Sequence, residues 1–301
     1  MEIAFIDHGK EMDFVNTYSP FEEMAAYEAI WSKDRSINYQ KLAAMLINKN
    51  VLPSELISEE FVLEAKDRLK KRFYKESSFD FDFILSKSFD YPQKLKDAKE
   101  PIEVLYYQGC IDLINSRSIA IVGSRKPSEE GLRRASKLAR LLIKNGFTII
   151  SGLAEGIDTV AHQTAIENNG NTIAVIGTPL DEYYPKKNEE LQKYIAKNFL
   201  LVSQVPFLRY SEQTYRGNRL FFPERNKTMS AISEATIIVE ASDTSGTLIQ
   251  AKAALEQGRK LFILQSCFEN TAISWPSKFE KLGATRVNDF GDIMQNLSTH
   301  E

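Results

Sequence analysis

Between residues 118 and 265 the apolar positions come in two alternating textures. Short unbroken runs of Ile, Val and Phe alternate with longer stretches whose apolar residues recur at helical spacing. SIAIVG (118–123) precedes a helical pattern near 129–145, and FTIISG (147–152) precedes one near 155–168. NTIAVIG (171–177) leads through a loop into NEELQKYIAKN, and FLLVSQ, ATIIVEA and KLFILQ follow, each bounded by a helix or a glycine. Unbroken β-branched runs spaced by helices of three or four turns predict parallel strands covered on both faces. Residues 19–80 read differently. Ser19-Pro20-Phe21-Glu22 places a serine, a first-turn proline and a glutamate at capping-box spacing. Three amphipathic stretches follow: MAAYEAIW, INYQKLAAMLINKN and SEEFVLEAKDRLKKRFY. The aromatic, turn-rich KESSFDFDFILSKSFDYPQKL links them to the rest. The expected fold is α/β: an extended Rossmann-like parallel sheet with helices on both faces (86–301), preceded by a small helical N-terminal domain (1–85).

Composition adds limits. The chain has 301 residues, 43% apolar and 26% charged, enough for a sizeable core. No apolar run is long enough to span a membrane, and residues 1–14 lack the basic-then-apolar pattern of a secretory signal. The cytoplasm is the expected compartment. Cys110 and Cys267 are far apart, with no CxxC and no His cluster, so both are expected as small buried thiols, without a disulfide or a metal site. Net charge is −3. Any nucleic-acid site must therefore be a local basic patch on an acidic body.

Ligands of open parallel sheets bind beyond the carboxyl ends of the strands, so those segments carry the functional reading. Gly123-Ser124-Arg125-Lys126 ends the first strand of the run. It reads either as a phosphate-holding turn at a helix N-terminus or as an ordinary basic turn in solvent. It is not GxGxxG, so no dinucleotide fingerprint is present. Ser151-Gly152 permits close backbone approach to an anion, with Asp158 as a candidate helix cap. His162, with no second His or Cys nearby, reads as a core-edge histidine. In Tyr184-Pro185-Lys186-Lys187-Asn188 the lysines are a solvated corner or a phosphate contact, and Asn188 is a natural N-cap. Arg216 to Lys227 interleaves Arg219, Phe221, Phe222, Arg225, Asn226 and Lys227. That mixture supplies faces for stacking bases and cations for phosphates, with Phe221 the ring expected in the core. Ser245-Gly246-Thr247 forms a second small-residue, anion-accepting turn.

In this order, IAIVGSR, SGLAEGID–AH, IAVIGTPLDEYYPKKN, FPERN–SAIS and IVEASDTSGTLIQAKAALEQGR resemble the DprA/Smf family of DNA-processing proteins. FDYPQKLKDAKEPIEVLYYQG upstream extends the resemblance to residues 88–287. It implies a Rossmann-like domain that binds single-stranded DNA, as a homodimer, and loads RecA during natural transformation. It implies a phosphate contact for Arg125, a stacking ring in Phe222, and basic contacts from Arg225 and Lys227. Backbone cradles would come from Ser151, Gly152, Ser245, Gly246 and Thr247, with Lys187 as a further contact. No cofactor and no catalytic residue is expected. Two alternatives come from other classes. One is a nucleotide hydrolase resembling the LOG-type phosphoribohydrolases, which carry PGGxGT and then a catalytic glutamate; here SDTSGTLIQAK offers Gln250. The other is a defence-associated nucleotide sensor.

Overall fold

The computed structural model describes residues 19–47, 49–74, 80–99 and 101–298. The segment read above for a secretory signal lies outside them. In chain order the helices are α1 (Pro20–Lys33), α2 (Tyr39–Leu42), α3 (Glu59–Tyr74), α4 (Gln93–Lys96), α5 (Glu129–Lys144), α6 (Ile157–Glu167) and α7 (Glu189–Asn198). Then come α8 (Phe207–Glu212), α9 (Tyr215–Asn218), α10 (Phe221–Ile232), α11 (Thr247–Glu256), α12 (Gln265–Glu269), α13 (Trp275–Lys281) and α14 (Phe290–Ser298). The strands are β1 (Asp82–Leu85), β2 (Val104–Gly109), β3 (Ser118–Val122), β4 (Thr148–Ser151), β5 (Thr172–Ile176), β6 (Leu200–Ser203), β7 (Ala235–Ile238), β8 (Lys260–Leu264) and β9 (Thr285–Val287).

All nine strands form one sheet in the order β1-β2-β6-β5-β4-β3-β7-β8-β9. From β6 to β9 every pairing is parallel, as the β-branched runs predict. At one edge β2 pairs antiparallel with β6, and β1 antiparallel with β2, which the sequence pattern does not announce. The apolar runs of β1 and β2, residues 83–85 and 104–107, are short and aromatic and end in exposed Asp82 and Gly109, so they do not stand out as strands. β1 precedes the expected domain boundary at 85/86 and yet lies in the sheet.

The period-two geometry of a strand sends successive residues to opposite faces. Ile119 and Ile121 of β3 join Ala139, Leu142 and Ala161 beneath α5 and α6. Ala120 and Val122 join Met229, Ile232 and Ala254 beneath α10 and α11. A third apolar cluster fuses α1 and α3 with the β2–β6–β5 end of the sheet, through Tyr27, Trp31, Leu69, Tyr106, Leu201 and Phe207. Inside it the Glu28 carboxylate accepts from the Tyr106 hydroxyl (2.6 Å) and from the Phe207 and Leu208 amides (both 2.9 Å). Burial pushes its pKa up to about 7.

Several local expectations resolve differently. Ser19 occupies the N-cap of α1 without a side-chain cap; its carbonyl takes the Glu22 and Glu23 amides, while Glu22 pairs with Lys66 at 3.3 Å. Asn188 sits at the N-cap of α7, but its amide donates instead to Leu153 O (2.9 Å) and Thr159 Oγ1 (2.8 Å). Tertiary partners outcompeted the local cap in both cases. Cys267 is buried, whereas Cys110 is exposed, because it follows β2 where the chain leaves the sheet. Among the described residues no helix is long and apolar enough to cross a membrane.

Candidate nucleic-acid interface

The chain builds β3 to β6 outward in one direction, then returns to lay β7 to β9 on the other side of β3. The segments following β3 and β7 therefore diverge, which is where open α/β sheets place their ligands. A cleft of about 740 Å³ opens at that point. Its lining includes Gly123 to Lys126 after β3, Ser242 to Thr247 after β7, and one face of α10. Two bonds join these pieces: Thr247 Oγ1 donates to Gly123 O (3.2 Å), and Asn226 Nδ2 donates to Gly246 O (3.2 Å).

The FPERNK stretch, read above as a linear basic-aromatic segment, is the start of a helix. Helical spacing splits it between two faces. Phe222, Arg225, Asn226 and Met229 face the cleft. Glu224, Lys227, Thr228 and Ala231 face a separate small cavity against Tyr39 and Leu95, where Lys227 pairs with Glu224 at 3.0 Å. Lys227 is thus turned away from the cleft. Phe221 is core, as expected, and packs against Trp31 and Tyr39.

Arg225 is buried beneath the cleft. Its guanidinium donates to the carbonyls of Gly152 and Val175, the latter at 2.7 Å, and its Nε to Asn226 Oδ1 at 3.0 Å. Desolvation draws its pKa down to about 10, which still leaves it charged at neutral pH. A side chain on Gly152 would collide with that guanidinium, so the glycine serves Arg225. Asp158 does not cap α6; its carboxylate accepts from the Gly152 (3.2 Å) and Ala154 (3.4 Å) amides. Burial raises the Asp158 pKa, opposed by Arg225. Ser151 is buried too, its hydroxyl spent on Ile121 O at 2.7 Å.

The N-terminus of α5, one of whose two readings was a phosphate seat, already has a carboxylate beside it. Glu240, just beyond β7, accepts from Ser128 N (3.0 Å) and Ser128 Oγ (2.6 Å), while Ser128 caps Gly131 N (3.0 Å). The Glu240 carboxylate thus sits at the positive end of the helix, and one first-turn amide is capped from within the chain. Arg125 and Lys126 stand exposed on the turn before it. Phe222 lies beside Tyr184, ring centroids 5.3 Å apart, and Gly177 makes room for it: a Cβ there would sit 2.8 Å from the ring.

A family model for DNA recombination-mediator protein A matches residues 82–298. The chain belongs to this family. The match begins at the first residue of β1. Protein Smf of Synechocystis is 41% identical over 186 residues, covering 60% of this chain and 45% of that protein. The DNA processing protein DprA of Streptococcus pneumoniae is 39% identical over 196 residues, 65% of each chain, and that of Bacillus subtilis 34% over 225, or 74% of this chain and 73% of that one. The matched stretch thus spans less than two thirds of the first two relatives. The solved pneumococcal structure superposes with a TM-score of 0.73 at 28% identity, covering 92% of this chain and 99% of that one. A Helicobacter pylori DNA processing protein A, described for its single-stranded DNA binding mode, reaches 0.62 at 28% identity, covering 73% and 96%.

Within this family member, the cleft gathers Gly123, Ser124, Arg125, Lys126, Phe222, Arg225, Asn226, Ser245, Gly246 and Thr247 from the predicted set. Gly152 lies in an adjoining pocket with Arg125, Tyr184 and Phe222. Lys187 is exposed on a turn off the cleft, and neighbouring Lys186 pairs with Glu189 at 2.7 Å. Tyr184, read only as part of a turn, Arg219, read only within the basic–aromatic stretch, and Tyr215, not read at all, also line the cleft. Tyr215 and Arg219 lie on and just past α9, a helix too short to produce a periodic signal. His162 is buried with Nδ1 2.7 Å from Thr172 Oγ1, and burial lowers its pKa to about 3, so it stays neutral. Among the described residues no group of His, Cys, Asp or Glu is arranged to hold a metal.

Proposed function

We propose that the chain binds single-stranded DNA in the cleft between the β3 and β7 ends. One observation carries this reading. On a body of net charge −3, the cleft concentrates Arg125, Lys126, Arg219 and Arg225 against the single carboxylate of Asp158, interleaved with the rings of Tyr184, Tyr215 and Phe222. Stacking faces with adjacent cations suit unpaired bases on a phosphate backbone, whereas a duplex hides its base faces. Gly246 is compatible with the same reading: it opens the N-terminus of α11 into the cleft and leaves open space beside its backbone. The solved Helicobacter pylori relative, with its single-stranded DNA binding mode, points the same way.

The proposed roles divide by exposure. Arg125, Lys126 and Arg219 contact phosphates, Phe222 and Tyr215 stack on bases, and Ser124, Asn226 and the Ser245–Thr247 turn supply polar contacts. Gly152, Ser151 and buried Arg225 shape the floor. The family resemblance extends the proposal to a homodimer that passes the strand to RecA, acting in recombination or DNA uptake. Against a phosphoribohydrolase stands Gln250, buried and bonded to Thr236 Oγ1 at 3.2 Å, where that chemistry needs a carboxylate at the ligand.

A fluorescence anisotropy titration with labelled oligothymidylate tests the reading. Tight binding that weakens steeply with salt, weak binding of duplex, and no turnover of free nucleotides are expected. Equal affinity for duplex, or nucleotide hydrolysis, would overturn it.

A further inference from the structure

The cleft wall that bears Tyr215 and Arg219 is held on one side by α10 and on the other, through α8, by the N-terminal helices. α8 packs on α1 and α3, and α9 on α10. Glu28 of α1 accepts the first two amides of α8, and Arg72 of α3 donates to Phe207 O at 3.1 Å. Arg209, midway along α8, donates to Arg35 O (2.9 Å) and Trp31 O (3.3 Å). These carbonyls lie at and just beyond the C-terminal end of α1, where unsatisfied acceptors favour a cation. One turn on, Glu212 accepts from Ser32 Oγ at 2.6 Å and pairs with Arg68 of α3.

The ties then run from α8 into the wall itself. Arg209 Nε donates to Gln213 Oε1 (3.0 Å), and Gln213 Nε2 donates to Asn218 Oδ1 (2.8 Å). Asn218 Nδ2 returns to Tyr210 O at 3.1 Å. Gln213 also fills the space beside Gly217, where a Cβ would lie 3.1 Å from it. One guanidinium therefore grips the end of α1 with its terminal nitrogens and the α8–α9 junction with its Nε. Tyr215, 68% exposed, has no comparable anchor of its own among these bonds.

We propose that Arg209 and Gln213 are positioning residues that set Tyr215 over the cleft, so that the N-terminal helices govern how firmly unpaired bases are held. This rests on the reading of the cleft as a single-stranded DNA site. It assigns the helical segment a part in binding although no described residue of α1 to α3 lines the cleft.

Two probes separate base contacts from backbone contacts: labelled oligothymidylate and an abasic oligonucleotide of the same length, titrated against the full chain. Tyr215→Ala is expected to weaken oligothymidylate about tenfold while leaving the abasic probe nearly unchanged, because stacking needs a base. Arg209→Ala is expected to reproduce that selective loss at about fivefold, with the thermal melting curve still cooperative. The double variant Arg209→Ala/Tyr215→Ala is expected to be no weaker than Tyr215→Ala, since one acts through the other. Gln213→Leu, which leaves the grip on α1 in place, is expected to behave like Arg209→Ala and decides the matter if that variant does not fold. Wild-type affinity in the folded variants, equal weakening of both probes, or additive losses in the double variant would each overturn the positioning role. Failure of the wild-type chain to bind either probe would instead remove the DNA reading beneath it.

Discussion

The β3–α5 turn and the first turns of α10 both bring arginine and lysine to the same place, and they use them in opposite ways. In the turn, Arg125 and Lys126 project into solvent, because the helix end behind them already has Glu240 as its anion. In α10, Arg225 points inward and joins Gly152 on one strand end to Val175 on another, while Lys227 leaves on the far face with Glu224. Position relative to the backbone, more than residue type, decides whether a cation grips a ligand or the protein. A basic residue on a strand-to-helix turn has nowhere inward to go. On a helix lying across strand ends, four consecutive residues meet three environments.

The largest test of that contrast is Arg225→Ala. It strands two buried carbonyls and removes the charge opposing Asp158, so urea denaturation is expected to show a loss of about 3 kcal/mol or more. A stable Arg225→Ala protein with weakened DNA affinity would reverse the assignment. An inward carboxyl group gives the second test. Glu28 holds its proton in the folded chain up to about 7, against an ordinary value of 4.5. The folded state therefore binds more protons between those values, and Glu28's contribution, fully present below about 4.5, is lost as pH rises through 7. Glu28→Gln is expected to flatten that fall by about 2–3 kcal/mol, read as unfolding free energy against pH. An unchanged slope would show that Glu28 is ionised in place.

The outward cations should behave in the converse manner. Arg125→Ala is expected to weaken oligothymidylate about tenfold, lower the slope of log affinity against log salt by about 1, and leave the melting temperature unchanged. Gly177→Ala acts on the ring between the two regions: the added Cβ pushes Phe222 aside, and a loss of about threefold is expected in the same titration. Lys227→Ala is expected to change affinity by less than about twofold, as its phosphate contact would be absent. A tenfold loss there would mean that α10 presents its other face to the strand.

The parallel core was legible because β3, β5, β7 and β8 are buried on both sides and written almost wholly in Ile, Val, Leu, Phe and Ala. β1 and β2 were not, because an antiparallel edge carries aromatic and polar residues that also suit a linking segment. The turns after β3 and β7 announced themselves through glycine, serine and basic residues at strand ends. What a linear reading lacks is the helical phase of α10, which separates Phe222 from Lys227, and the tertiary competitors that claim local signals. Ser19, Asn188 and the α5 N-terminus all look like caps or anion sites in isolation. In the fold, Glu22 goes to Lys66, Asn188 to Leu153, and Glu240 to Ser128. Tyr215 and Arg219 were legible only as composition, since their value comes from where α9 is held.

Glu240 in the place of a bound phosphate has a consequence for motion. A Rossmann-type site that seats a phosphate on helix amides fixes it to rigid backbone, and the ligand has one register. Here the α5 N-terminus already has the Glu240 carboxylate beside it, and the exposed cations are long side chains on a turn and beside a short helix. Each such grip is individually weak and re-formable, so a strand held by Arg125, Lys126 and Arg219 would creep by one nucleotide at the cost of one contact at a time.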